Sequence, residues 1–241
     1  MSPVLTETEA LDRQLSDAAE RFGTPAYLYA TDMSEARLAD LREGTVYAHE
    51  ALIRGPQGSP WHTPDVLLDM ARQEHLLQDF ELVCAYTALQ GWGAARAAGR
   101  IFINISADAL VQAVALCGAD TLARTVRTFG VQPRMVVLEI TEHERVSDMA
   151  RLRQAVQCVH GAGMRLALDD FGDGRSSLRV WSEVKPDFVK IDKYFVRNIS
   201  AQPQNLQMVQ AIKSIAQVFG TTLVAEGIET PADLRALRDL D

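Results

Sequence analysis

The chain has 241 residues, of which 47% are hydrophobic and 23% charged, and its formal net charge is −8. This is the composition of an ordinary soluble globular chain, long enough for one large α/β barrel or two smaller domains. The acidic balance and the lack of any Lys/Arg run argue against a nucleic-acid duplex as partner. No apolar run approaches the roughly 18 residues that cross a bilayer, and the three scattered cysteines, Cys84, Cys117 and Cys158, form no CxxC pair, which excludes a zinc knuckle or redox motif.

The first segment, MSPVLTETEALDRQ, is polar and acidic and lacks the charged and apolar regions of a signal peptide. Together with thiols expected to stay reduced, this gives the expectation of a cytoplasmic protein. Residues 7–22 carry a helical pattern, with Leu11, Leu15 and Ala18 on one face and Gly23 as the stop. Residues 1–25 are therefore expected to form an N-terminal helical segment, and residues 26–241 the main domain. A strand is expected at Ala26–Thr31. Further strands are expected at Val46–Arg54, Ile101–Ser106, Met135–Thr141, Arg165–Asp170, Phe188–Asp192 and Thr222–Glu226. Helical patterns lie between most of them, at Asp65–Gln73, Phe80–Trp92, Ala119–Phe129, Met149–His160 and Asn205–Phe219, and PADLRALRDLD reads as a last helix.

Alternating strands and helices predict a parallel sheet with helices outside it. Seven strand candidates fall one short of the eight in a closed (β/α) barrel. A doubly wound open sheet is the alternative, but the Gly-rich phosphate loop it would carry after its first strand is missing.

Six of the apolar runs hold residues that bind metals or handle protons. They are Glu50 in VYAHEALIR, Asn104 in IFINIS, Glu139 in MVVLEITE, Asp169 and Asp170 in RLALDDFG, Lys190 in DFVKID, and Glu226 in TTLVAEG. Taken alone, each carboxylate reads as a solvated strand end or a helix cap. Burying a charge in such a run is costly unless it is paired or metal-bound, and six instances point to one place where strands deliver polar groups. If Glu50, Glu139, Asp169, Asp170, Glu226 and Glu229 converge, Lys190 offers too little positive charge, and divalent cations are needed to keep the site ionised. An all-oxygen donor set selects Mg²⁺ or Mn²⁺ over zinc or copper. Two such ions suit displacement at phosphorus, so phosphodiester hydrolysis is the favoured chemistry. The five histidines lack ligand spacing and read as structural or surface groups, and Trp61, Trp92 and Trp181 as packing residues.

These residues, in this order, resemble the EAL domain family of cyclic di-GMP phosphodiesterases. Glu50-Ala51-Leu52 is the name-giving motif, extended to Arg54. Asn104 in FINIS, Glu139-Ile140-Thr141-Glu142, DDFGDGRSSL, Lys190-Ile191-Asp192 and Ala225-Glu226-Gly227-Ile228-Glu229-Thr230 match in order and spacing. The resemblance implies a modified TIM (β/α)8 barrel in which one strand near the N-terminus runs antiparallel, formed here by Ala26–Thr31 against Val46–Arg54. It implies that Glu50, Asn104, Glu139 and Asp169 bind a first metal and Asp170 a second. Lys190 would contact the attacking water or the phosphate, and Glu226 would act as general base or as a water-orienting carboxylate. Leu52 and Arg54 would touch substrate, Glu142 would anchor the glycine loop, and Glu229 would support the site.

The implied reaction is hydrolysis of cyclic di-GMP to linear pGpG with two Mg²⁺ or Mn²⁺ ions, in a homodimer controlled by regulatory domains or partners outside these residues. The alternatives are a receptor that binds cyclic di-GMP without cleaving it and a dimerising regulatory module. Three departures stand out. The first strand reads YLYATDM where the family reads YYQPI. Arg72 stands where the family carries a glutamate. The eighth strand, D-x-x-Q-G-Y in the family, is missing from these residues, so the barrel is expected to end one strand early.

Overall fold

The computed structural model describes residues 36–41, 43, 45–141, 148–172 and 178–240. The apolar runs become strands because Val, Ile and Phe suit a pleated surface that is buried on both faces. Among the described residues there are seven: β1 (Ala36–Ala39), β2 (Val46–Ala51), β3 (Arg100–Asn104), β4 (Val136–Thr141), β5 (Arg165–Phe171), β6 (Phe188–Ile191) and β7 (Thr222–Ala225). They lie in one sheet in sequence order. β2 to β7 are parallel throughout, and β1 is antiparallel to β2. Helices connect the parallel strands: α1 (Pro64–Gln73), α2 (Leu77–Ala95), α3 (Ala107–Leu116), α4 (Ala119–Thr128), α5 (Met149–Gly161), α6 (Leu178–Val184), α7 (Lys193–Val196) and α8 (Pro203–Phe219), with α9 (Pro231–Arg238) after β7. This is the modified TIM barrel that was expected, with its antiparallel pair at the N-terminal side.

The identity of that pair needs correction. The strand hydrogen-bonded to β2 is Ala36–Ala39, with Ala36 opposite Glu50 and Leu38 opposite Ala48. The expected partner Ala26–Thr31 lies outside the described residues, as does the helix expected over residues 7–22. The sequence ARLA is too short and too mixed to stand out as a strand, and it forms one because the neighbouring β2 supplies a partner. β1 and β7 are the two edges of the nearly closed barrel. A cleft of about 940 Å³ lies between them, lined by Leu38 and Ala39 on one side and Thr222, Leu223, Val224 and Ala225 on the other.

Side chains alternate faces along a strand, so each strand feeds two cores. The outward residues Ile101, Ile103, Val136, Leu138, Leu166, Leu168, Val189 and Ile191 pack beneath the helices against Leu110, Leu152, Val156, Trp181, Val209 and Ile212. The inward residues Ala48, Phe102, Val137, Ala167 and Phe188 form a separate apolar cluster inside the barrel, with Val224 against it. Two residues further along each of these six strands, on the same face, stand Glu50, Asn104, Glu139, Asp169, Lys190 and Glu226. The barrel interior is therefore an apolar floor with a polar layer directly above it.

Trp92 and Trp181 are buried packing residues, and the Trp181 indole N–H donates to Thr221 Oγ1 at 3.1 Å. Trp61 differs from expectation, being 49% exposed. No single helix among the described residues is long and apolar enough to cross a membrane.

Candidate active site

The polar layer converges on one ammonium group. Lys190 is 1% exposed, and its Nζ lies 2.5 Å from Glu139 Oε1, 2.7 Å from Glu226 Oε1, 3.1 Å from Asp169 Oδ1 and 3.4 Å from Glu50 Oε2. Asn104 joins the ring by donating from Nδ2 to Glu50 Oε1 at 3.0 Å. The parallel register makes this possible. Asn104 is level with Glu139, and Thr141, the last residue of β4, is level with Asp169 in β5. Functional groups from β2, β3, β4, β5, β6 and the end of β7 thus meet at the C-terminal mouth of the strands.

Asp169 and Asp170 are sequence neighbours, and in a regular strand they would face opposite sides of the sheet. The ladder between β5 and β6 is irregular at this point: Leu168 pairs with Val189, but the next pair is Phe171 with Ile191, so β5 carries one extra residue. Asp170 adopts the left-handed conformation, with φ of 52°. Such a bulge re-aims side chains. As a result Asp169, Asp170 and Glu226 can each place one oxygen within 4.8 Å of the others.

One ammonium cannot satisfy this ring, because it has three donors and faces four carboxylates. Lys190 approaches Glu139 closely but out of hydrogen-bonding alignment. Both Glu139 oxygens and Asp169 Oδ1 are buried without a hydrogen-bond partner. Burial pushes the Glu139 carboxyl well above its ordinary range; Lys190 opposes this, and Asp169 and Glu50 add to it. Burial also raises Glu226, with Lys190 opposing and Asp169 and Asp170 reinforcing. For Lys190 burial alone would favour the neutral amine, but Glu139, Asp169, Glu50 and Glu226 outweigh it and hold the group charged. Orphaned carboxylate oxygens around a carboxamide and two further acids are the donor set of a hard divalent cation. The residues present therefore fit a divalent cation, and Asp169, Asp170 and Glu226 are the three acids whose oxygens come together.

The remaining expected site residues lie outside this ring or beyond view. Leu52 and Arg54 follow β2 and are half-buried, and Arg54 Nη1 donates to the Ile53 carbonyl at 2.8 Å. Glu229, expected to converge with the other carboxylates, is instead a surface group paired with Arg197, at 2.6 Å from Nη2 and 2.8 Å from Nε. Glu142 lies outside the described residues. The sequence reading missed Glu81 on α2. Its carboxylate accepts from the Ser106 N–H at 3.2 Å and from the Ser106 hydroxyl. Ser106 in turn caps α3, accepting from the Ala109 N–H at 3.1 Å, so Glu81 fixes the chain just after Asn104. A lone glutamate in a helix reads as solvated, and the hint was the Ser106 cap it binds.

Comparison with known proteins agrees with the fold. The EAL domain family matches residues 38–241. The Escherichia coli (strain K12) protein named probable cyclic di-GMP phosphodiesterase PdeA is 28% identical over 203 residues, 83% of this chain and 27% of that protein, so the chain spans about a quarter of that relative's length. The EAL domain of Mycobacterium smegmatis DcpA has a crystal structure that is 31% identical, with a TM-score of 0.63, covering 89% of this chain and 83% of that one. The manganese/cyclic di-GMP complex of Klebsiella pneumoniae BlrP1 shares the fold, with a TM-score of 0.74 at 23% identity over 99% of this chain and 64% of that one.

Proposed function

Since the chain belongs to the EAL domain family, we propose that it hydrolyses cyclic di-GMP to linear pGpG with two divalent cations, Mg²⁺ or Mn²⁺. The observation that carries this reading is the cluster of Glu50, Asn104, Glu139, Asp169, Asp170 and Glu226 about Lys190, with three buried carboxylate oxygens that accept no hydrogen bond. Names of relatives and neighbours, among them the Escherichia coli protein named probable cyclic di-GMP phosphodiesterase PdeA, point to the substrate.

In this reading Glu50, Asn104, Glu139 and Asp169 hold one cation, and Asp170 holds the other with Asp169. When bound, the cations polarise the phosphoryl oxygens and lower the pKa of a water. Glu226, half-buried at the mouth, takes the proton from the attacking water. Lys190 is held charged and so acts as a donor, placing its N–H groups toward the water or a phosphoryl oxygen. Water oxygen bonds to phosphorus, the P–O3′ bond breaks, and the 3′ oxygen leaves with a proton, giving a 5′-phosphate on the linear product. Arg54 and Leu52 contact the substrate, and Glu142 steadies the loop beyond Asp170. Glu229 acts only indirectly, through its pair with Arg197. Dimerisation belongs to the same proposal.

Incubation of the purified protein with cyclic di-GMP and Mn²⁺ should yield pGpG by chromatography, and Glu50→Ala should abolish it. Binding in a calorimeter without any product would instead make the domain a receptor.

A further inference from the structure

Three consecutive strands, β5, β6 and β7, carry Asp169 and Asp170, Lys190, and Glu226. The four-residue helix α7 begins three positions after Lys190, with Asp192 as its cap accepting from the Tyr194 N–H at 2.8 Å. It touches the turns on both sides. Gly172, two residues after Asp170, has φ of 111°, and a Cβ there would stand 2.3 Å from Phe195 Cε2. Gly227, next to Glu226, has φ of 71°, and a Cβ there would stand 2.7 Å from Lys193 Cβ. Both approaches are closer than any residue with a side chain permits. Backbone bonds tie the same parts together: Asp192 N–H donates to the Phe171 carbonyl and Glu226 N–H to the Ile191 carbonyl, each at 3.2 Å.

We propose that α7 is a spacer. Phe195 pressed on Gly172, and Lys193 on Gly227, fix how far Asp170 stands from Glu226, which makes Phe195 a positioning residue for the cation that Asp170 holds with Asp169 beside Glu226. The contact on Lys193 is made by its Cβ, which almost every substitution keeps. The contact on Gly172 is made by the Phe195 ring, which substitution can remove. Asp170 sits in the left-handed region, which strains a residue that carries a side chain. A turn under that strain relaxes once the ring holding its next glycine is gone. Phe195 is only half-buried, unlike its fully buried neighbours Val196 and Ile199, so its loss falls on the turn more than on the fold.

The inference rests on the two-cation reading above, and its test separates the two. Mn²⁺ binding to the 241-residue protein is followed by calorimetry and Mn²⁺ electron paramagnetic resonance without substrate, beside thermal melting in chelator. Phe195→Ala is expected to weaken one Mn²⁺ by roughly 10–100-fold, with metal-free melting little changed, and Phe195→Leu to recover most of the loss. With substrate, kcat falls and KM holds. Gly227→Ala, which pushes the Glu226 turn off Lys193, is expected to weaken the same single ion, and it carries the test if Phe195→Ala does not fold. Wild-type protein that binds no Mn²⁺ overturns the function and the spacer together. Wild-type binding with an unchanged isotherm in Phe195→Ala or Gly227→Ala, or a Phe195→Leu no better than alanine, overturns the spacer alone.

Discussion

Inside the barrel two layers share six strands and one face, yet they are built on opposite terms. The floor of Ala48, Phe102, Val137, Ala167 and Phe188 is apolar and closed. Burying each large side chain there contributes about 1.5–3 kcal/mol, and Phe102 and Phe188 add an edge-to-face contact at 5.4 Å. The layer above it crowds four carboxylates on one ammonium and leaves buried oxygens without a hydrogen bond. Desolvated charges of this kind cost more than they return. The upper layer is held in place by the floor, the strand ladders and the outer core, and it contributes little to the fold itself. A barrel can thus concentrate repulsive groups at its mouth because stability is supplied two residues below.

This division can be broken from either side. The largest effect is expected at the floor. Phe102→Ala should cost about 3–5 kcal/mol by urea unfolding, while the protein that remains folded should still bind Mn²⁺. In the upper layer Asp169→Asn should lower turnover about 10²–10³-fold, as loss of a preorganised charged group does. Its metal-free stability should stay level or rise, because one of the acids crowding Lys190 is gone. The two-layer account fails if Phe102→Ala is nearly neutral, or if Asp169→Asn unfolds the metal-free protein more readily than Phe102→Ala does.

The polar layer was legible in the sequence because a buried charge inside a Val/Ile/Leu run has few explanations. Of the seven residues named from that pattern, six stand directly above the floor, and the seventh, Asp170, adjoins them. What the sequence did not show was geometry that only neighbours create. β1 forms on four unremarkable residues because β2 offers them a ladder. The extra residue at Asp169 and Asp170 leaves no mark in an apolar run, yet it turns two adjacent acids toward one place. Glu229 follows the same strand as Glu226 and looked equivalent, but three residues further on the chain has left the mouth, and the carboxylate finds Arg197. α3 was missed because ADALVQAVAL lacks the polar face that marks a surface helix, being packed against the neighbouring helices α2 and α5.

The smallest predicted effect concerns a carboxylate at the other end of the barrel, whose needs are met. Asp187 stands just before β6. It accepts from the Leu166 N–H at 3.0 Å, from His160 Nε2 at 3.0 Å and from Arg165, joining the starts of β5 and β6 to the end of α5. Burial alone would raise its pKa, but these donors outweigh burial and lower it from 3.8 to about 2. A carboxyl whose pKa is depressed by folding lends stability that is complete above its unfolded value and is lost as pH falls through the folded one. The full shift would be about 2 kcal/mol, and solvent at the exposed Arg165 reduces it to about 1–2 kcal/mol. Asp187→Asn should therefore destabilise the protein by that amount at neutral pH, and the gap from wild type should narrow as the acid is titrated toward about pH 2. Unfolding curves on both proteins across that range check it. A gap that stays constant would mean that Asp187 holds the strand starts by shape and hydrogen bonding alone. The contrast between a satisfied carboxylate below and unsatisfied ones above would then rest on Glu139 and its neighbours only.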